Sequence, residues 1–552
     1  MVSPTLPDPE GHPPGTFLLT RVSHNESGTS AEGICLQPPP MDDPNDPLAS
    51  RQSTQNWTSW RKGVNWALVF GISLVIFTSL SIQTNFWVQM SEDMNLTYEQ
   101  LNDSLSANGA GCALGCVFVI PFSIKYGRRS TYILTTAVLA AVTWWSARMT
   151  TLTELYLTNL LSGLAGSVNE TVAQMTLADL FFVHQRGTIN ATYLTAVMMG
   201  SFLTPMAAGV QASNSSWRWS YYTLAICLTV LLVVFIFGYE ETKYVPVISG
   251  GRPIVTPAVV ADSEGSAVGK DSDSQKGMAP VLRTSSTAAI TSSAIPMNTY
   301  RERMRWTTTT PESLTKLFYF PLYTNAFPHV IFASLQYASG VCWLVVMASI
   351  WSTVTTVPPY NLDTAHLGYL NVGPFIGNLI GSFYGGVVSD WCVRFFSRRN
   401  QGYYEPEMRL YHLLPPAFLM SIGLFLSGFG LEQLWSPTML SFSGGLFAFG
   451  LGAIGDAAFT LVLDTYEALA GECFVVIAFW RNIIGIGIPF AVTPMINIGL
   501  TNSGIIMAVI SFVISILFIP MIIWGKKFRT SNGPRYFQLI EDQQKHFIGG
   551  RH

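Results

Sequence analysis

Residues 155–187 read LYLTNLLSGLAGSVNETVAQMTLADLFFVHQRG, and the rest of the chain is organised around this stretch. Its apolar run over 155–183 is long enough, at about 1.5 Å per helical residue, to cross a bilayer. Glu170 falls near the middle of the run, where a carboxylate is costly unless it faces protein or water. Asp179 lies nine residues further on, close to the end of the run, and His184 and Arg186 follow as the chain leaves it.

Composition supports a membrane reading. Hydrophobic residues make up 49% of the chain and charged residues 11%, against roughly 25% charged in globular proteins. Mean hydropathy is +0.34. The net charge of -3 hides a strong segregation of sign along the chain and gives no ground for a nucleic-acid partner. The seven cysteines are odd in number, and none lies in a stretch read as extracellular, so no disulfide framework is implied. Cys112 and Cys116 share a helix face, but without a histidine or third thiol at ligand spacing they read as packing residues, and no metal or other cofactor is expected.

Residues 1–60 are rich in Pro, Ser, Asp and Asn and lack a signal-peptide pattern, which predicts a disordered cytosolic tail. Six apolar spans follow at 64–88, 101–122, 131–147, 155–183, 188–209 and 219–239, giving a first bundle over 61–243. Residues 244–315 form a low-complexity linker. Six more spans at 327–350, 367–388, 410–430, 439–463, 473–495 and 504–524 give a second bundle over 316–525, followed by a cytosolic tail over 526–552. Alternate loops carry nearly all the lysine and arginine: Arg61 and Lys62, Lys125 to Arg129, Arg186, Lys243 and Lys316, Arg394 to Arg409, and Lys526 to Arg529. The positive-inside rule places those loops, both termini and the linker in the cytosol. The sequons at Asn95 and Asn214 then fall outside, where they are candidates for glycosylation.

The halves echo each other. The fourth span carries Glu170 then Asp179, and the tenth carries Asp456 then Asp464. Gly187 to Pro205 and Gly471 to Pro489 are both eighteen residues apart, on the fifth and eleventh spans. Two six-span repeats predict an all-α membrane protein of twelve transmembrane helices that rocks one half against the other.

Those residues give the chain its resemblance to the major facilitator superfamily, and within it to the fungal twelve-span drug:proton antiporter branch. The resemblance runs from about residue 43 to 529. It rests on Asp43-Pro-Asn-Asp-Pro-Leu48, Lys125-Tyr-Gly-Arg-Arg129, Asn169-Glu-Thr-Val-Ala-Gln-Met-Thr-Leu-Ala-Asp179 and Gly238-Tyr-Glu-Glu-Thr-Lys-Tyr244. The second half adds Pro358-Pro-Tyr-Asn361, Gly386-Val-Val-Ser-Asp390 and Glu405-Pro-Glu-Met-Arg-Leu410. It implies two six-helix bundles related by a pseudo-two-fold axis, with helices one, four, seven and ten lining a cavity. It also implies a cytosolic latch built from Lys125, Gly127, Arg128, Arg129, Gly386 and Asp390. The chain departs from the pattern at Ile120 and Ile124, where the family turn has Gly and Asp. Asn159 replaces a fourth-span arginine, Thr204 and Ala208 replace glycines of the fifth-span signature, and residues 49–55 interrupt the junction before Asn56-Trp57.

A carboxylate desolvated in such a cavity has a raised pKa and can exchange protons as each side opens, so Glu170 is the first candidate for proton coupling, with Asp179 and His184 nearer the boundary. The alternative for Glu170 is a hydrogen-bonded packing residue; for Asp179 and His184 it is a solvated helix end. Asp456 lies twelve residues before Ala468 and Arg481 thirteen after it, which predicts an ion pair, either inert or acting as a gate. Gln83, Asn85, Asn108, Gln174, Gln336, Tyr337, Trp343 and Asn371 are polar or aromatic groups within apolar helices; they either line a substrate cavity or join helices by hydrogen bonds. Gly200, Pro205, Gly485, Gly487 and Pro489 read as sites of close helix approach and kinking.

The resulting expectation is a secondary transporter of a small organic molecule, coupled to protons, exporting a drug, toxin or secondary metabolite across a plasma membrane as a monomer. An importer of an organic cation such as a polyamine, and a metabolite sensor on a carrier scaffold, are the alternatives. No H-E-x-x-H, G-x-S-x-G or P-loop is present, so neither an enzyme nor a nucleotide-driven pump is expected.

Overall fold

The computed structural model describes residues 13–18, 21–24, 30–33, 57–181, 183–242, 304–308 and 314–549. Most of the expected tail over 1–60, the insertion at 49–55 and most of the linker over 244–315 lie outside the described residues.

The first span runs from Ser59–Ser81 through a 3-10 turn at Gln83–Phe86 into Trp87–Met94. The second is Tyr98–Tyr126, the third Arg128–Ser146, and the fourth is divided at Ser167 into Leu152–Gly166 and Val168–Leu180. The fifth joins Val183–Met198 to Thr204–Asn214, and the sixth is Trp217–Gly238. A short helix at Leu314–Thr324 precedes the seventh span, Pro328–Val354. The eighth is Thr364–Tyr369 with Val372–Arg399, the ninth Leu414–Glu432, the tenth Pro437–Thr465, and the eleventh Ala470–Asn497. The twelfth joins Leu500–Ser515 to Phe518–Gly549, so residues 526–549, read from sequence as a tail, continue the last helix.

Nine helical runs among the described residues are long and apolar enough to cross a membrane by themselves. The third, fourth and eighth spans are not among these nine. The fourth is divided and acidic, and the eighth ends in Asp390, Arg394, Arg398 and Arg399, which dilutes its hydropathy.

Helix boundaries follow local chemistry. The second and fourth spans begin with capping boxes, Thr97 with Gln100 and Thr151 with Glu154, each satisfying two orphan amides. Pro328 and Pro437 open the seventh and tenth spans, where a missing N–H costs nothing. In the fifth span, Pro205 lies just beyond a π-turn at Met199–Leu203 that absorbs its missing hydrogen bond.

The two largest clusters of buried apolar residues lie one in each half, around Ile72, Phe86, Trp87 and Tyr132 in the first and Val346, Leu424, Phe447 and Leu461 in the second, with smaller ones around Tyr466 and Tyr404 and one, Cys116, Ile120, Val475 and Ala478, shared between the halves. Exposed apolar groups such as Phe237, Phe383 and Ile523 form the lipid-facing surface. Glycines set the closest approaches. A Cβ on Gly111 would meet Leu160 O at 2.0 Å, and one on Gly377 would meet Gly445 O at 2.0 Å, so the second and fourth spans, and the eighth and tenth, touch backbone to backbone.

Short strands lie within the N-terminal tail. The strand Phe17–Leu18 pairs antiparallel with Tyr403–Tyr404, and Arg21–His24 pairs with Ser30–Gly33.

Candidate functional site

At the end of each bundle that carries the basic turns, hereafter the basic end, an arginine clasps the second acid of the repeat. In the first bundle, Arg128 Nε lies 3.2 Å from Asp179 Oδ2, joining the start of the third span to the end of the fourth. Glu241 accepts from the backbone N–H groups of Arg128 at 3.0 Å and Arg129 at 3.3 Å, a carboxylate seated on a helix N-terminus. Gly127 makes this seat: its φ is +106°, and a Cβ would come 2.2 Å from Glu241 Oε2. Arg129 is buried and donates to the carbonyls of Ile236 and Met304 at 2.7 Å and Tyr239 at 2.9 Å. Glu240, next to Glu241, takes a hydrogen bond from Arg61 Nε at 2.8 Å. The Tyr-Glu-Glu motif thus ties the sixth span to the first and third. Lys125 lies over the Tyr126 ring at 5.8 Å.

In the second bundle, Arg409 Nε donates to Asp464 Oδ2 at 2.6 Å, and its Nη1 reaches Asp390 Oδ1 at 3.0 Å. Tyr404 donates its hydroxyl to Asp464. Gly386 faces open space: a Cβ there would meet nothing within 4 Å. Beside this latch, Arg529 is fully buried and holds Glu407 with two parallel bonds, Nε to Oε1 at 2.8 Å and Nη2 to Oε2 at 2.7 Å. His329, also fully buried, lies 3.4 Å from Glu407 Oε1. Burial pushes the Glu407 carboxyl up, but hydrogen bonds from His329 and Arg529 outweigh it and hold its pKa at about 2.

Near mid-span the side chains of Glu170 and His184 lie outside the described ones. The backbone at Glu170 is helical, and its neighbour Asn169 is locked: Ser73 Oγ donates to Asn169 Oδ1 at 2.5 Å and Tyr193 OH to Asn169 O at 2.9 Å, which ties the fourth span to the first and fifth.

The ion pair expected between Asp456 and Arg481 is not formed. Arg481 donates to Asn482 Oδ1 at 2.7 and 3.1 Å, and stands 5.3 Å from the Tyr337 ring. Asp456 turns towards the eighth span, where a Cβ on Gly385 would lie 3.4 Å from its Cβ. Equal depth was the wrong criterion, because the tenth and eleventh spans hardly touch. The tenth packs on the eighth and ninth, whereas the eleventh packs on the seventh and second.

Several expected cavity residues hold helices together instead. Gln83 donates to Ser104 at 2.7 Å, Asn85 to Pro205 O at 2.8 Å and Gln336 to Ile514 O at 2.7 Å, each joining two spans of one bundle. Trp343 donates to Ser339 at 3.1 Å in its own helix, and Asn371 turns back on Gly368 O at 3.4 Å. Asn108 joins the second span to Asn159 O at 3.2 Å, next to Gly109, which abuts Gly485 of the other bundle. Asn159 itself bonds to Leu155 O at 2.9 Å within its helix. Gln174 is half-buried on the fourth span. Tyr337 reaches the bundle interface beside Arg481. Asn95 and Asn214 are exposed at the end opposite the latches.

The described hydrogen bonds between the bundles are few and neutral. Ser352 Oγ donates to Thr84 O at 2.5 Å, Asn482 Nδ2 to Cys116 Sγ at 3.5 Å, and Asn102 Nδ2 to Pro489 O. A Cβ on Gly209 would sit 2.8 Å from Thr364 O. Among the described side chains, every ion pair joins two residues of the same bundle.

From sequence, Glu241, Glu407 and Arg409 stand in motifs without partners and Arg529 is only one of the cytosolic basic residues, while His329 carries no signal of its own. The acids of the repeat were the available signal: Asp464 needed a cation at the head of the ninth span, as Asp179 has Arg128 at the head of the third.

Comparison with known proteins agrees with this architecture. A sequence model described as the Major Facilitator Superfamily matches residues 69–489. "Uncharacterized MFS-type transporter C1271.10c" of Schizosaccharomyces pombe is 26% identical over 97% of this chain and 96% of its own length. "Protein HOL1" of Saccharomyces cerevisiae is 25% identical over 96% of this chain and 97% of its own. "Probable drug/proton antiporter YHK8" of the same yeast is 26% identical over 80% of each chain. Among solved structures, the proton:xylose symporter XylE superposes with a TM-score of 0.55 at 12% identity, covering 84% of this chain and 97% of that one, a likeness of fold.

Proposed function

Because the chain belongs to the Major Facilitator Superfamily, we propose that it exports a small organic molecule in exchange for protons, by alternating access, across a fungal plasma membrane. It is a transporter and not an enzyme. The observation that carries the reading is the distribution of strong contacts. Charged clasps lie inside each bundle, while the described contacts between bundles are glycine abutments, an apolar patch of Cys116, Ile120, Val475 and Ala478, the Phe118–Phe318 ring contact and single neutral hydrogen bonds. Two halves braced internally by ion pairs and joined through apolar and neutral contacts favour rigid-body rocking, which needs an interface that can break and re-form. The relative named as a drug/proton antiporter supports exchange with protons.

Glu170 is the coupling carboxylate in this proposal. Asn169 fixes its backbone, and Asp179, clasped by Arg128, is assigned to the latch rather than to proton movement. Asn108 and Tyr337, at the seam, are the substrate-facing residues. The basic end faces the cytosol, as the positive-inside rule requires, and Asn95 and Asn214 carry glycans outside.

The test is transport by purified protein in liposomes with an imposed pH gradient, using rhodamine 6G and spermidine as probes. Export by exchange predicts rhodamine 6G movement against the proton flux, lost in Glu170→Gln with the protein still folded. Movement that ignores the gradient would overturn proton coupling. Spermidine moving with the protons identifies the importer instead, and immobility of both probes in folded protein favours the sensor.

A further inference from the structure

The second latch is covered by a piece of the chain more than 370 residues away. Residues 13–16 lie across it as a turn, with Thr16 N donating to Pro13 O at 3.2 Å, and residues 17–18 continue as a strand. Pro14 O and Thr16 Oγ1 each accept from Arg529 Nη1 at 2.8 Å. Phe17 and Leu18 add a strand to Tyr404 and Tyr403. Gly15, with φ at +82°, lies so close that a Cβ would meet Asp464 O at 2.8 Å and both Pro406 and Thr465 at 3.0 Å. Pro14 also abuts Gly533 of the last helix.

We propose that this surface is a receptor site for the chain's own residues 13–18, and that its occupancy holds the second latch shut. Arg529 supplies the energetic reason. Its guanidinium is fully buried, and the two bonds to Glu407 leave Nη1 without an acceptor from the second bundle. The strap provides both acceptors for Nη1, so it completes the solvation of a buried cation that the bundle itself only half satisfies. The strap touches the loop before the ninth span, the end of the tenth span and the last helix together. These elements keep their spacing only while Arg409 clasps Asp464. A segment that binds the latched arrangement and loses its contacts when the latch parts must, by linkage, favour the latched state.

The first bundle has a counterpart. There Arg129 Nη1 donates to Met304 O at 2.7 Å, and Thr308 N donates to Tyr126 O at 2.9 Å, so residues 304–308 cover the first latch. The chain therefore crosses over. The segment ahead of the first bundle docks on the second, and the segment ahead of the second docks on the first. A buried arginine donating to a backbone carbonyl is common to both.

The experiment compares hydrogen–deuterium exchange in the full chain in lipid nanodiscs with two variants, deletion of residues 2–18 and Gly15→Val. Removal of the strap raises exchange over residues 404–410 and 460–466 by about tenfold and leaves 125–131, at the first latch, unchanged. A peptide of residues 10–20 added to the deletion variant restores protection. Unchanged exchange at 460–466 in the deletion variant overturns the proposal, as does an equal rise at both latches, which would report general loosening. Gly15→Val, which keeps the full chain but excludes the strap sterically, must reproduce the deletion. Failure of the peptide to restore protection also overturns it. None of these readings depends on the substrate or on proton coupling.

Discussion

Arg409 meets Asp464 at 2.6 Å at the basic end of the second bundle, in the place where Arg128 meets Asp179 at 3.2 Å in the first. The paired acids of the two repeats thereby divide their work: one stands mid-span, and one closes a clasp at the helix end. The clasps are not equal. Arg409 also serves Asp390, Ser389 and Tyr404, whereas Arg128 adds a side-chain bond to Ser123 O at 3.2 Å.

Double-mutant cycles should expose that inequality. With Arg409→Ala and Asp464→Asn, thermal unfolding in detergent should give a coupling of about 1–3 kcal/mol; with Arg128→Ala and Asp179→Asn, about 0.5–1 kcal/mol. Equal couplings would mean that the extra partners of Arg409 add nothing.

The spans were legible because runs of apolar residues separated by charged turns leave few alternatives for a backbone that must satisfy its own hydrogen bonds in lipid. The latch was legible as motif residues, Arg128, Arg129 and Asp390, although not as a geometry. What sequence could not separate was a polar residue that faces a cavity from one that joins helices. Gln83 and Gln336 are amides in apolar runs on either reading, and rotation about the helix axis decides between them. The same ambiguity misplaced Arg481, whose depth was countable but whose facing was not. The strap at residues 13–18 was hidden for another reason. Pro13-Pro-Gly-Thr16 has no periodicity, and its partners Tyr404, Asp464 and Arg529 are set by the fold of the far half of the chain.

Glycines of similar appearance in sequence should differ sharply in tolerance. A Cβ on Gly377 would lie 2.0 Å from Gly445 O, and one on Gly200 would lie 2.5 Å from Leu74 O, whereas a Cβ on Gly485 or Gly487 would meet nothing within 4 Å. Gly377→Ala and Gly200→Ala should each cost about 1–3 kcal/mol by forcing helices apart. Gly485→Ala should be neutral or stabilising by about 0.5–1 kcal/mol, since alanine favours helix. Thermal unfolding and folded yield in detergent check both, and a loss at Gly485 as large as at Gly377 would contradict the packing described.

Asp456 and Arg481 should behave as independent residues. Arg481 donates to Asn482 and Tyr337, and Asp456 faces the eighth span. Asp456→Asn and Arg481→Gln should therefore combine additively in thermal stability, within about 0.5 kcal/mol. Removing one partner of a genuine buried pair strands the other, at a cost of roughly 3–5 kcal/mol that the second substitution would largely recover. A strong recovery in the double variant would show that the two do meet.

Glu407 sets an acid limit on the second bundle. Its carboxyl titrates at about 2 in the folded chain, against about 4.3 in an unfolded one. For a depressed acid, the stabilisation is fully present above the unfolded value and is lost as pH falls through the folded value. The cluster with Arg529 and His329 should then keep its full contribution from neutrality down to about pH 5, and lose it progressively between about 4.3 and 2. Glu407→Gln should remove that acid-dependent loss and destabilise the protein at pH 7 by roughly 3–5 kcal/mol, because Arg529 stays buried without its carboxylate. Replacing both, as Glu407→Leu with Arg529→Met, should recover most of that stability by removing the stranded charge along with its partner. Thermal unfolding of the three proteins between pH 3 and 8 separates the contributions. If Glu407→Gln were as stable as the parent at pH 7 and showed the same acid loss, the Glu407–Arg529 clasp would not be what holds this end of the bundle together.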